Sequence, residues 1–294
     1  KKIKDLWIVG GFRNIFYDKN FNEKTYGFAH KWKKQFNFGW DKKLDIPSKR
    51  YFGCASIGKW IHIFGGSCND NIQNSNIKID SQNGDIVELE PMMLPGKMFG
   101  STSFKISNEN FLIATGGKYK KEISNMVQIY SVNENLWKES SIMINANFNN
   151  EIVSCYGGVM MIGGQNYFKK FKNVQFLQYE RNQWSIYNQT HHSYSSFGAT
   201  FHSNSIYVCN GKYFEIYNKD EDAWHEKEAP FTEYRDGIRL VSFNDQILAM
   251  GGSSTENNLS TDVVKRYDPR NGEWETLAPM PKALSHHRLL VIKN

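Results

Sequence analysis

Histidines and cysteines are the side chains that hold metals or act as nucleophiles near neutral pH, so their spacing is weighed first. His191-His192 and His286-His287 are adjacent pairs. Neighbours along a strand point to opposite faces, so neither pair supplies two ligands to one copper ion. Cys54, Cys68, Cys155 and Cys209 lie far apart, with no CxxC pair and no clustered histidines to complete a zinc site. All four are expected to be reduced thiols, which fits a cytoplasmic protein. There is no Gly-x-Ser-x-Gly elbow, no Walker loop and no dinucleotide-binding glycine fingerprint. The chain is therefore expected not to be an enzyme, with no catalytic residue, no metal and no cofactor. Asn188-Gln189-Thr190 and Asn258-Leu259-Ser260 match the glycosylation triplet, which an asparagine-heavy sequence also produces by chance.

Charge offers a second kind of chemistry. The 294 residues carry a formal net charge of +6, but residues 1–50 alone hold 13 Lys/Arg against 5 Asp/Glu. The other 244 residues are slightly acidic. Lys31, Lys33, Lys34, Lys42 and Lys43 interleave with Trp32, Phe36, Phe38 and Trp40, superficially a stacking and phosphate surface. They fall in a long insertion and on outer strands, where lysines guard a sheet edge against further pairing. Nucleic acid is thus a minor reading. No apolar run approaches 18 residues and no leader with a cleavage site opens the sequence, so a membrane partner is not expected. The start at Lys1-Lys2-Ile3, almost directly before a strand-like run, is expected to mark a fragment of a longer protein.

The elements that position these residues are repeats. Double glycines end short apolar runs at Gly10-Gly11, Gly65-Gly66, Gly116-Gly117, Gly163-Gly164 and Gly251-Gly252, and a sixth copy reads Asn210-Gly211. Asn tolerates a left-handed backbone, so this copy is expected to keep the geometry. The copies lie 55, 51, 47, 47 and 41 residues apart, so six units account for the whole length. After the glycines a strand-like run ends in Tyr130, Tyr179, Tyr217 or Tyr267, and Trp137, Trp184, Trp224 or Trp274 follows by 7, 5, 7 and 7 residues. The runs are too short and too often broken by Gly, Asn and Ser for helices, so each unit is predicted to be a four-stranded antiparallel meander. Such sheets cannot bury both faces alone, and stacking them radially gives a β-propeller.

This pattern resembles the kelch repeat over all 294 residues, and Asp262 to Pro281 is nearly the family's ideal unit. The fold expected is all-β: one six-bladed kelch-type propeller, four antiparallel strands per blade, closed by His286–Ile292 pairing with the blade that begins at Lys4. Blade two departs from the pattern, with Ile86 where the family shows Trp, and blade one carries the insertion. Some kelch-type propellers are copper radical oxidases or sugar-acid isomerases, so the fold alone does not exclude chemistry.

The resemblance implies a partner-binding face, as in the kelch domains of BTB-kelch adaptors, whose upstream BTB and BACK segments recruit a cullin-RING ubiquitin ligase. Actin binding is the family's other common role. Carried over, the loops after the glycines supply Phe12, Arg13 and Asn14; Ser67 and Asn69; Lys118 and Tyr119; Gln165 and Tyr167; Tyr213; and Ser253. The turns between blades supply Arg50 and Tyr51, Met98, Phe148 and Asn149, Ser195 and Ser196, Tyr234 and Arg235, and His286. Rigid aromatic area beside basic groups would complement an acidic or phosphorylated peptide with an apolar anchor, held by a monomeric domain.

Overall fold

The computed structural model describes residues 4–17, 20–25, 28–33, 39–69 and 71–293, with backbone alone at 12–17, 20–25, 28, 32–33, 39–43 and 293. The fold is an all-β, six-bladed propeller with four antiparallel strands in each blade. Among the described residues no helix is long and apolar enough to cross a membrane. Two compact units divide the chain, residues 51–195 and residues 1–50 with 196–294, and each is described by itself.

The unit of residues 51–195 holds three blades. Blade two is Gly53–Ile57, Trp60–Phe64, Asn76–Asp80 and Ile86–Leu89; blade three is Gly100–Ile106, Glu109–Thr115, Val127–Ser131 and Leu136–Glu139. Blade four is Phe148–Cys155, Gly158–Gln165, Val174–Gln178 and Gln183–Tyr187. The glycine pairs stand at the ends of the second strands, just beyond them in blades two and three and within the last residues in blade four, because a side chain has no room there. A Cβ on Gly116 would lie 2.5 Å from the Asn147 carbonyl, and one on Gly117 2.7 Å from the Lys97 carbonyl. Both sit at positive φ, and their amides bond outward, Gly116 to the Met126 carbonyl and Gly117 to that of Asn147.

The core lies between blades rather than inside any one. Phe104, Phe111, Ile113 and Ile129 of blade three interdigitate with Ile152, Val159, Met161, Leu177 and Trp184 of blade four. Trp137 faces its cross-strand neighbour Tyr130 at 5.3 Å and reaches Phe64 of blade two at 5.4 Å. The Trp184 indole donates to the Ser141 carbonyl just past the fourth strand of blade three. Large plates thus fill the wedge and also tie each sheet to the next.

Two of the expected landmarks move. In blade four the residue paired with Trp184 is Leu177, so the seven-residue offset is kept by Leu177, not Tyr179. Tyr179 opens a short 3-10 turn, Tyr179–Arg181, because the strand has already ended at Gln178. Asn210 is the second correction, since it does not adopt positive φ. Blade five connects its second and third strands by only Asn210 to Tyr213, and the Asn210 side chain accepts from the Tyr213 amide at 2.9 Å to close that tight turn.

In the other unit blade five is Gly198–His202, Ser205–Cys209, Phe214–Asn218 and Ala223–Lys227, and blade six is Arg239–Phe243, Gln246–Met250, Val264–Asp268 and Glu273–Leu277. Blade one is built from both ends of the sequence: Arg288–Lys293 pairs with Lys4–Val9 over six positions, followed by Phe28–Lys33 and Gly39–Asp45. The insertion after Gly11 is a hairpin, Phe12–Tyr17 against Asn20–Thr25. Lys34, Phe36 and Phe38 of the lysine–aromatic segment lie outside the described residues, as do the side chains of Trp32, Lys33, Trp40, Lys42 and Lys43. Lys31 is described, and it bonds the nearly buried Asp5 at 2.8 Å. Cys54 and Cys155 lie in first strands and Cys209 in a second strand; all three are buried and Cys68 is exposed, and among the described residues no disulfide joins them.

Leu290 and Ile292 are buried in the strand shared with Lys4–Val9, each contributing about 1.5–3 kcal/mol by burial. Deleting residues 285–294 removes these side chains and a full ladder of backbone bonds. The melting temperature is expected to fall by about 10 °C or more. A truncated protein melting within a degree or two of the parent overturns the role given to this strand.

Candidate functional site

One left-handed residue heads the first strand of blades two to six and of the strand Arg288–Lys293: Tyr51, Met98, Asn149, Ser196, Gly237 and His286, with φ between 52° and 70°. Only one is glycine, and a non-glycine residue held in this region is uncommon and maintained by its surroundings. Here backbone bonds hold it. Met98 N–H donates to the Tyr51 carbonyl and Asn149 N–H to that of Met98 in one unit; Gly237 N–H donates to Ser196 and His286 N–H to Gly237 in the other. The turn residues of neighbouring blades are thereby laced together beside the loops that follow the glycine pairs.

In the unit of residues 51–195 those loops carry an aromatic and cationic cluster. The Lys118 ammonium lies 3.9 Å from the ring centre of Phe148 and 4.6 Å from that of Tyr167. The two rings stand 6.0 Å apart, and the Tyr167 hydroxyl donates to the Lys121 carbonyl at 2.7 Å. Lys118 and Lys97 exchange backbone bonds, fixing the short hairpin Lys118–Tyr119 with Glu122–Ile123 against the preceding turn. Lys120 lies over the Tyr119 ring at 5.3 Å. Ser195 donates to Gln165 at 2.8 Å across the neighbouring loop. Tyr167 is 59% exposed and Phe168 93%, the latter at the tip of a turn in which Asn166 accepts from the amides of Phe168 and Lys169. The Phe168 ring stands in water, followed in sequence by Lys169 and Lys170, while the neighbouring Tyr167 meets Lys118 and the Lys121 carbonyl.

The other unit carries a second cluster. Tyr213 and Tyr234 meet edge to face at 5.6 Å, with the Lys212 ammonium over both rings at 5.8 and 5.4 Å. The hydrogen bond with Tyr213 holds the Tyr234 hydroxyl above the ordinary phenol range, with burial adding to it. Arg235 is already engaged: it donates to Glu233 at 2.7 Å and lies over the Phe231 ring at 4.3 Å, while Ser254 bonds the other Glu233 oxygen.

The structure sorts the candidate residues by exposure. Asn69 and Tyr167 are exposed, and Tyr234 is 37% exposed; Arg50, Tyr51, Met98, Lys118, Tyr119, Asn149, Gln165, Ser195, Tyr213 and Arg235 are half-buried. Ser67, Phe148, Ser196, Ser253 and His286 are buried. They lie beneath the loop surface: Phe148 is roofed by Lys118, Ser253 bonds Ser260, and His286 packs on Gly237. Phe12, Arg13 and Asn14 begin the inserted hairpin, and their side chains lie outside the described residues. The blade-five turn is also displaced, since the left-handed residue matching Tyr51 and Met98 is Gly237, so Asp236-Gly237 stands where Tyr234-Arg235 was expected. Phe168 was missed, though an aromatic beside two lysines after a glycine pair was its signal. Among the described residues no group of three or more His, Cys, Asp or Glu side chains could hold a metal ion.

Residues 235–281 match the Kelch motif. Along its length the chain is similar to Kelch-like protein 23 of Mus musculus, 23% identical over 297 residues, and to Kelch-like protein 23 of Homo sapiens, 23% identical over 298. Each alignment covers 98% of this chain and 51% of the relative, so the chain spans about half the length of these relatives. Kelch-like protein 40 of Xenopus laevis is 26% identical over 217 residues, covering 68% of this chain and 34% of that protein.

His286 makes the laced turns sensitive to acid. Burial lowers its pKa from 6.5 to about 4, with the nearby Asp236 carboxylate opposing and Arg239 and Arg288 adding to the shift. The folded state thus holds a neutral ring that the unfolded chain protonates below pH 6.5. The stability it supplies is complete above that pH and is lost as pH falls toward 4. At pH 5 the loss is roughly 2 kcal/mol. His286→Asn keeps a residue suited to positive φ and removes the titration. Urea denaturation at pH 7 and pH 5 should show a smaller pH-dependent loss in this variant than in the parent, and equal losses overturn the assignment.

Proposed function

We propose that this kelch-repeat propeller is a partner-recognition module, holding a peptide segment of another protein on the loops that follow its glycine pairs. A six-bladed kelch propeller similar to kelch-like proteins points to protein interaction rather than catalysis. The observation that carries the finer reading is the Lys118, Phe148 and Tyr167 cluster with Tyr119 and Phe168 beside it. Rigid rings give contact area at low entropic cost, and the lysines around them attract negative charge. An acidic or phosphorylated segment with one apolar anchor is the complement. In the other unit the Tyr213, Tyr234 and Lys212 cluster offers the same chemistry. Arg235 does so only if an incoming carboxylate replaces Glu233.

The kelch resemblance extends this reading. A propeller of this kind, joined to BTB and BACK segments, would act as the cytoplasmic substrate receptor of a cullin-RING ubiquitin ligase adaptor. The cullin would then be met through those other segments and not through the propeller.

Affinity capture with the parent chain and with a Tyr119→Ala/Tyr167→Ala variant tests the face. Partners of the parent are expected to be lost from the variant, each truncation weakening binding by roughly 1–4 kcal/mol where it is a hot spot. Stability should change by only about 0.5 kcal/mol at the exposed Tyr167 and by somewhat more at the half-buried Tyr119. A captured partner that binds the double variant as tightly as the parent removes the site from these loops and moves it to the basic segment Lys31–Lys43.

A further inference from the structure

The strands of blade three have a second end. Glu109–Thr115 leads at Thr115 into the glycine pair and the loops just described, whereas Glu109 lies six residues back, about 20 Å along the strand. A cleft of about 390 Å³ opens between blades three and four, running from that far end along the outer strand Leu136–Glu139. Its volume is within the range of about 300–1,000 Å³ typical of ligand sites. Ile106, Phe111 and Ile129 form its apolar side. Tyr179, the residue displaced from the Trp184 pair, closes it, packing 5.4 Å from Phe104 and 5.1 Å from Phe111. Tyr179 stays partly exposed, so it offers a ring to the cleft. Its turn is held by Asn182, left-handed at φ 47°, whose side-chain oxygen accepts from the Ser140 hydroxyl at 2.6 Å and the Ser141 amide at 2.9 Å. The cleft therefore has a fixed mouth.

Its charge opposes that of the chain. Glu109, Glu134, Glu139 and Glu180 line it against the single ammonium of Lys138, in a protein whose formal net charge is +6. Lys138 pairs with Glu134 at 2.5 Å. Among the described residues no ion pair engages Glu109, Glu139 or Glu180. The carboxylates do not converge as metal ligands do. They stand around an aromatic wall, an arrangement that suits a long, flat cation able to stack on a ring while its edges bond carboxylates. A guanidinium does both with one planar fork, whereas an ammonium can sit over a ring only as a point charge, without stacking and without a fork to span two carboxylates.

We infer that the cleft between blades three and four is a second binding site, lying between the outer strand of blade three and the Tyr179–Arg181 turn rather than among the glycine loops, which takes an arginine side chain from a basic partner peptide. The offset of five between Tyr179 and Trp184 is the trace of this site in the sequence. Blade four keeps its wedge packing with Leu177 and frees Tyr179 to build the cleft wall. The site is separate from the one proposed above, and its chemistry is the reverse.

Fluorescence anisotropy of a labelled hexa-arginine peptide with the full chain tests it, with hexa-lysine and spermine as competitors. Binding is expected to weaken about tenfold in Glu109→Gln/Glu180→Gln, both exposed positions whose substitution leaves the melting temperature in place. Tyr179→Leu should weaken hexa-arginine more than hexa-lysine. Tyr119→Ala/Tyr167→Ala should leave hexa-arginine binding unchanged, which separates this site from the glycine-loop face. The inference fails if hexa-arginine does not bind or if the double Gln variant binds it as well as the parent. It fails equally if hexa-lysine and spermine compete as strongly as hexa-arginine and Tyr179→Leu changes nothing, the pattern of diffuse charge alone.

Discussion

The left-handed residue at the head of the first strand is the constraint on which the arrangement of both units depends. A sheet with an apolar face on each side is stable only against neighbours, and the wedge packing of Trp137, Trp184 and their partners supplies the attraction but not the register. Register comes from the backbone bonds that run from Tyr51 to Met98 to Asn149, and from Ser196 to Gly237 to His286. Each bond requires the donor residue to turn into a region of φ that costs of order 1 kcal/mol or more for a side chain other than glycine. That cost is met by the bond itself and by burial around it, as at Ser196 and His286. The same turn then fixes where the neighbouring loops stand, so the Lys118 and Tyr213 clusters inherit their positions from it.

Much of this was legible in the sequence because the glycine pairs have a steric cause. A chain that must bring Gly117 within van der Waals reach of Lys97 backbone cannot vary there, and a repeated dipeptide is the visible result. The strand pairing of Lys4–Val9 was legible for a related reason, since an apolar run without a preceding partner requires one from elsewhere. Tyr179 was misread because a pattern of residue types cannot tell a tyrosine in a strand from one two residues beyond its end. Asn210 was misread because tolerance of positive φ is not a requirement for it, and the four-residue turn found another solution in the asparagine side chain.

The candidate site was less legible than the fold. Loop position can be read from spacing, but exposure depends on what folds over the loop. Phe148 and Ser253 occupy the expected turns and yet are covered, one by Lys118 and the other beside Ser260. Arg235 is engaged by Glu233, two residues away, a pairing that loop position alone does not reveal. The turn was expected at Tyr234-Arg235, whereas the backbone places it at Asp236-Gly237, where the glycine takes the left-handed position.

The shared blade has a consequence in time. Three of its strands, ending at Gly39–Asp45, leave the ribosome about 240 residues before Arg288–Lys293 does. At roughly 5–20 residues per second, that is an interval of roughly 10–50 s. Throughout it Leu6, Trp7, Ile8 and Val9, all buried in the finished fold, present a bare hydrophobic strand with open amides and carbonyls. While the intervening blades are made, the nascent chain thus carries an open hydrophobic edge waiting for a partner, and a translational pause ahead of Arg288 prolongs the exposure that chaperones must cover.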